Sequence, residues 1–125
     1  MVRLLPTYRD YLWGGTVLKE RFGKTDGPER LAESWEVSAR SGGESIVASG
    51  PHKGQTLSEY LEAEGPEALG TNCEGMDRFP VLIKLIDAAD KLSVQVHPDD
   101  EYGLRTENDL GKNEMWYIID ADPEA

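Results

Sequence analysis

The sequence holds one cysteine, Cys73, and two histidines, His52 and His97. A single cysteine excludes an internal disulfide and any thiolate cluster for metal, and Cys73 reads as an inert loop thiol. Positive charge is scarce: 13 Lys and Arg stand against 24 Asp and Glu, for a net charge of -11. That balance excludes nucleic acid or an anionic membrane as partner, since both demand clustered cations. It leaves room for a small anionic substrate, because a few local cations can hold a phosphate inside an acidic protein. Long apolar runs are missing, and no stretch approaches the ~18 residues of a membrane span. Met1 to Pro6 lacks the apolar core of a signal peptide, so the expected location is the cytoplasm. Internal repeats and low-complexity tracts are absent as well. What remains is a chain of one-domain size, 125 residues with 38 % hydrophobic content, expected to fold as a single unit over 1–125.

Helix signals are few. Thr16 to Phe22, ending at Gly23, fits a short helix with a glycine C-cap. Thr56-Leu57-Ser58-Glu59 matches a capping box and starts a helix over Leu57–Glu64. Gly65-Pro66 ends it, and Pro66 suits the first turn of another short helix, Pro66–Leu69. Together these make a helical insertion over about 56–70. Asp99 is placed to cap one turn through Leu104, so Asp99-Asp100-Glu101 reads as a cap and solvated face with no calcium-loop pattern.

Strand signals dominate. Glu33 to Ser38 alternates as a strand does. Ser41-Gly42-Gly43-Glu44 predicts a hairpin turn into Ser45–Ala48. Phe79 to Asp87 predicts a buried strand, joined through an Asp87–Lys91 hairpin to a strictly alternating strand, Leu92–Pro98. A polar loop, Thr106–Lys112, precedes a last strand, Glu114–Asp120; Thr71–Arg78 is another loop. Short strands with few helices favour a mainly β sandwich or barrel. The last strand has no sequential partner, which predicts an incomplete fold.

Alternation puts Ser93, Gln95 and His97 on one face of their strand. Gln95 and His97 sit about 6.5 Å apart at Cβ by strand geometry. Both reach one ion, and Glu114 on another strand supplies a third corner. Imidazole, amide and carboxylate without thiolate suit zinc, manganese, cobalt or iron. Spacing alone is weak, since a lone strand histidine is more often a surface or satisfied core residue. His52, after Gly50-Pro51, reads as a solvated loop residue. Trp13 and Trp35 line a pocket or fill core, with core the default, and Trp116 is a core candidate. Paired Gly14-Gly15 permit a tight backbone path beside Trp13. Lys84 inside an apolar run either snorkels to an edge or faces a polar cavity. Lys112 is a loop cation or a substrate contact.

The stretch F-P-V-L-I-K-L-I-D-A-A-D-K-L-S-V-Q-V-H-P-D-D-E-Y, followed by G-K-N-E-M-W-Y-I-I-D-A, closely resembles the type I mannose-6-phosphate isomerases of the bacterial short form. Trp13-Gly14-Gly15 and Glu33-Ser34-Trp35-Glu36-Val37-Ser38 agree in order, so the resemblance runs from Leu5 to Ala121. It implies a cupin (jelly-roll) fold, a zinc ion, and interconversion of mannose 6-phosphate and fructose 6-phosphate through a cis-enediol. It implies Gln95, His97 and Glu114 as zinc ligands, and Trp13, Ser93 and Lys112 as substrate contacts.

The family is much longer than this chain. Its remaining zinc-binding His and a catalytic Arg have no counterpart here, since neither residue type follows Glu114. The expectation is therefore the N-terminal part of such an isomerase. The alternatives are a non-catalytic truncated cupin that binds a metal or sugar phosphate, and a piece that self-associates or is completed by a missing C-terminal part.

Overall fold

Glu33 to Val37 forms the middle of the larger sheet, as its alternation predicts. The structure, a computed structural model, describes residues 1–76 and 78–123. Asp77, in the loop expected over Thr71–Arg78, lies outside them, as do the last two residues. The chain divides into two units, 1–92 and 93–125. In chain order the first unit carries β1 (Leu4–Leu5), β2 (Thr7–Arg9), α1 (Val17–Phe22), β3 (Glu33–Val37), β4 (Ile46–Val47), α2 (Leu57–Glu64) and β5 (Ile83–Ile86).

Two antiparallel sheets result. In one, β3 lies between β2 and β5, with Trp35 opposite Thr7 on one side and Lys84 on the other. In the other, β1 pairs β4, Leu4 opposite Val47. Leu18, Leu31, Ala32, Val47 and Leu57 are buried between the elements, and Ser34, Ser38 and Ser45 are fully buried with them. The buried serines are tolerated because they are bonded: Ser45 Oγ accepts from Ser38 N–H at 3.0 Å, and Ser34 Oγ donates to Glu36 Oε1 at 2.6 Å.

The turn at Ser41–Glu44 forms, with Gly43 N–H donating to Arg40 O, but it closes no hairpin ladder. Ser38 and Ser45 exchange one backbone bond, and the Ser45 hydroxyl takes a second donor where a ladder partner would stand. β4 is thereby released to pair with β1. The strand expected over Phe79–Asp87 is shorter and not buried. β5 has one neighbour among the described residues, and Val81 and Ile83 are half exposed. Asp87–Lys91 is no hairpin either. Asp87 N–H donates to Ala32 O and Ala89 N–H to Trp13 O, both at 2.9 Å, so the chain continues along the Trp13–Gly15 segment.

The helices follow their local signals. Gly23 ends α1 in the left-handed region at φ 68°, which a residue without Cβ enters freely. Thr16 makes no side-chain cap to α1; the Asp87 carboxylate does, accepting from Val17 N–H at 2.7 Å. In α2 both halves of the capping box are present, and Pro66–Leu69 forms a 3-10 turn. No helix among the described residues is long and apolar enough to cross a membrane.

The second unit is a closed loop with two arms. Asp99 caps a single helical turn, α3 (Asp100–Tyr102), through Tyr102 N–H to Oδ1 at 2.8 Å, as expected. A π-helical turn, Gly103–Glu107, continues it. The loop closes where Lys112 N–H donates to Pro98 O at 3.0 Å and Gly111 N–H to Asp100 Oδ1 at 2.9 Å. Gly111 is needed there, since a Cβ would lie 2.4 Å from the Asp99 carbonyl carbon. Leu92–Pro98 and Glu114–Asp120, expected as strands, belong to neither sheet among the described residues. The alternation of Leu92–Pro98 is intact, but a strand exists only against a hydrogen-bonding neighbour.

Candidate metal centre

The closed loop sets the site. By bringing Lys112 N–H onto Pro98 O, it places His97 and Glu114, each just outside the neck, side by side. His97 Nε2 lies 2.9 Å from Glu114 Oε2. Lys112 Nζ lies 2.8 Å from the other oxygen, Oε1. The Lys112 ammonium, then His97, hold the Glu114 carboxyl down at about 2 against burial that pushes it upward. At neutral pH Glu114 is therefore an anion, the form that ligates a cation.

Gln95 and Ser93 form a second pair in the same unit. Gln95 Nε2 donates to Ser93 Oγ at 3.1 Å. This i, i+2 contact puts both side chains on one side of the chain, as the alternation predicts. The structure thus joins His97, Glu114 and Lys112 in one cluster and Ser93 with Gln95 in another. It records no contact between Gln95 and the His97–Glu114 pair. No group of three or more His, Cys, Asp or Glu is gathered around a point among the described residues.

The pair fits a divalent cation. The 2.9 Å contact is a hydrogen bond; two ligands each about 2.0–2.2 Å from one tetrahedral ion lie about 3.4 Å apart, so a small parting of the two side chains would admit an ion between them. The Gln95 amide spends its NH2 on Ser93, which leaves its Oε1 as the oxygen available to a metal.

Trp13 belongs to the first unit, where the sequence signal proves structural as well as chemical. A Cβ on Gly14 would lie 2.6 Å from the Ala32 backbone, and one on Gly15 2.6 Å from the Asp87 carboxylate. The two glycines let this segment press against Ala32 and Asp87. Trp13, half buried, rests against Tyr11 with ring centroids 5.5 Å apart. Beside it opens a cleft of about 570 Å³ lined by Asp10, Leu12, Gly14, Thr16, Glu29 and Arg30, among others.

Other residues depart from expectation. Trp116 is 51 % exposed, so it fills no core here. His52 is no free loop residue: Nδ1 meets Gln55 Oε1 at 2.7 Å, Nε2 meets Glu64 Oε1 at 2.8 Å, and its ring packs edge-on against Tyr60. It pins the loop after Gly50-Pro51 to α2. Lys84 lies on β5, an edge strand among the described residues. Its Nζ meets Glu33 Oε1 at 3.0 Å, while the other Glu33 oxygen accepts from Trp35 Nε1 at 2.6 Å. Arg9 stacks over the Trp35 ring at 4.0 Å. Sequence reasoning missed Glu33 and Asp87, because their partners lie 51 and 70 residues away.

Comparison with known proteins gives the chain's family. The family model "Phosphomannose isomerase type I, catalytic domain" matches residues 1–123. Mannose-6-phosphate isomerase ManA of Bacillus subtilis is 47 % identical over 121 residues, covering 96 % of this chain and 37 % of that protein. The Streptococcus mutans mannose-6-phosphate isomerase is 46 % identical, covering 91 % of this chain and 35 % of that one. The Escherichia coli enzyme is 30 % identical over 117 residues. The crystal structure of the Bacillus subtilis mannose 6-phosphate isomerase superposes with TM-score 0.87 at 47 % identity, over 97 % of this chain and 38 % of that one. The mainly β, cupin-type fold expected from the sequence accords with that likeness. The chain spans 30–38 % of the length of these relatives, and over that span it belongs to the type I phosphomannose isomerase family.

Proposed function

We propose that this chain carries the metal-binding part of a zinc-dependent isomerase that interconverts mannose 6-phosphate and fructose 6-phosphate through a cis-enediol. Relatives named for that activity support the substrate. The observation that carries the site is the 2.9 Å approach of His97 Nε2 to an anionic Glu114 at the loop neck. His97 and Glu114 would hold the ion, with Gln95 Oε1 as third ligand. A bound divalent cation supplies Lewis-acid stabilisation of charge developing on the sugar oxygens. Zinc suits this nitrogen and oxygen set, as do manganese, cobalt and iron.

The chain's own groups do the rest. Lys112 lowers the Glu114 pKa further below its ordinary 4.5 and is the cation nearest the site for a phosphate or sugar oxygen. Ser93 holds the Gln95 NH2 and so turns its carbonyl oxygen outward. Trp13 offers a flat apolar face to a sugar ring. The reaction moves a proton between C1 and C2, which needs a general acid–base in hydrogen-bond reach of both carbons. We place the protein in the cytoplasm, with a small sugar phosphate as its partner and neither nucleic acid nor membrane.

Metal analysis of the purified chain tests the site. We expect bound zinc in the parent and little in His97→Ala. Equal zinc in both would overturn the ligand assignment. A coupled assay for fructose 6-phosphate on the zinc-loaded chain separates turnover from a cupin that binds a metal or sugar phosphate without converting it.

A further inference from the structure

Trp13 owes its place to a stretch that lies far from it in the sequence. Ala89 N–H donates to Trp13 O at 2.9 Å, and Gly14 forms an antiparallel bridge with Ala88. Asp87 stands between these contacts and the end of β5. Its own N–H donates to Ala32 O at 2.9 Å, which ties it to the segment entering β3. Its carboxylate accepts from the N–H of Val17, the first residue of α1, at 2.7 Å. Thr16, in the N-cap place, makes no side-chain cap. The same carboxylate lies against Gly15, where a Cβ would come within 2.6 Å of Oδ2. One side chain thus abuts Gly15 and holds the helix that follows it.

Nearer neighbours hold Trp13 less. Gly14 N–H closes a turn onto Tyr11 O at 2.9 Å, but Leu12 within that turn is 88 % exposed. The indole meets Tyr11 with ring centroids 5.5 Å apart, and Tyr11 is itself 44 % exposed. α1 has six residues, too few to hold its own first turn without outside contacts. A carboxylate on a free helix N–H is a charge-assisted bond, stronger than a neutral one. We infer that Asp87 is the positioning residue for Trp13: its carboxylate fixes the Gly15–Val17 turn, and with it the angle at which the indole is presented. Asp87 acts through Trp13 and not on the sugar. The inference deepens the reading of Trp13 as a sugar contact, and its consequence for binding rests on that reading.

The test labels the chain with 5-fluorotryptophan and reads its three indole fluorines by NMR, with Trp13 assigned from Trp13→Phe. Without sugar, Asp87→Ala should move and broaden the Trp13 resonance and leave those of Trp35 and Trp116 in place. Asp87→Asn, whose oxygen still accepts from Val17 N–H, should return it to the parent's position. A loss of stability alone moves none of the three while the chain stays folded. Asp87→Glu carries its carboxylate one methylene further and serves if Asp87→Ala lacks the parent's far-UV circular dichroism; its Trp13 resonance should move as well. Mannose 6-phosphate is then titrated into each. Asp87→Ala should bind it about fivefold more weakly than the parent, the worth of one lost cap, and Asp87→Asn as the parent does. A Trp13 resonance unmoved in the folded variants, an Asn variant no better than the Ala variant, or equal sugar affinity in the parent and Asp87→Ala each overturns the proposal. A parent whose Trp13 fluorine ignores mannose 6-phosphate, with the sugar-free effect of Asp87 intact, refutes instead the reading of Trp13 as a sugar contact and leaves Asp87 its hold on the indole.

Discussion

Lys112 should oppose metal binding at the site it adjoins, and Lys112→Met tests this by its sign. Its ammonium sits 2.8 Å from Glu114 Oε1 and is the largest influence holding that carboxylate in its anionic form. At neutral pH Glu114 stays ionised without it, because an unassisted carboxylate titrates near 4.5. Removing Lys112 therefore sacrifices no ligand and deletes one positive charge next to an incoming cation. A dication and a unit charge about 4 Å apart repel by roughly 2 kcal/mol in water and roughly 8 kcal/mol at an effective dielectric of 20. Lys112 is 42 % exposed at its side chain, so solvent and salt screening and the freedom of the side chain to swing away put the effect below the lower figure, about 0.5–1 kcal/mol. That corresponds to zinc binding about two- to fivefold tighter in Lys112→Met. Lys112→Arg keeps the charge and should match the parent, while His97→Ala should bind far more weakly. A chromophoric chelator competing for zinc gives all three dissociation constants. If Lys112→Met binds zinc more weakly than the parent, Lys112 organises Glu114 and does not repel the ion, and the electrostatic reasoning fails.

Gly14→Ala should destabilise the first unit by about 1–3 kcal/mol, because its Cβ would sit 2.6 Å from the Ala32 backbone and something must move. A urea midpoint equal to the parent's would show that the Trp13 segment does not pack against Ala32 as tightly as described. Thr56→Ala removes the hydroxyl that accepts from Glu59 N–H at 3.2 Å and should lower stability by about 1 kcal/mol, whereas Thr56→Ser should recover most of it. Tyr8 carries the alkaline prediction. Burial, then the hydrogen bond to Asp26 at 2.6 Å, push its hydroxyl far above the ordinary 10.0. The folded state thus holds this proton more tightly than the unfolded chain, and the resulting stability is complete below pH 10 and lost as pH rises above it. Urea midpoints should fall from pH 10 upward in the parent and fall less in Tyr8→Phe; parallel slopes would refute the assignment.

What could be read from the sequence divides along a physical line. Features fixed within one turn were legible: the Thr56–Glu59 box, the Gly23 cap and Asp99 at the head of its helical turn all depend on neighbours three or four residues away. The exchange of partners between strands was not. Ser45–Ala48 looked like the return arm of a hairpin, yet β4 pairs a segment 42 residues back, because Ser38 and Ser45 satisfy each other through a hydroxyl. No periodicity distinguishes a serine that ends a ladder from one that faces water. The site shows the same division. The His97–Glu114 meeting was readable from the motif, and the structure supplies its cause, a loop neck that admits only glycine at Gly111. Gln95 was placed on the correct side of its chain by parity, but parity fixes a face and not a distance, and its NH2 went to Ser93.

The two unpaired arms carry that distinction furthest. Alternation in Leu92–Pro98 states which side chains want burial, and it is as clear there as in Glu33–Val37; Glu114–Asp120 is instead a run of five apolar residues between two acids. β3 becomes a strand because β2 and β5 lie beside it; the two segments belong to neither sheet among the described residues. Val94 and Val96 stand exposed for that reason, while the opposite side of the same chain already holds His97 against Glu114. The His97–Glu114 pair is set by the loop neck and needs no sheet to form it. The Val94→Asp, Val96→Asp variant should therefore bind zinc as the parent does, and loss of zinc from it would show that the site depends on the apolar side of that segment and not on the loop.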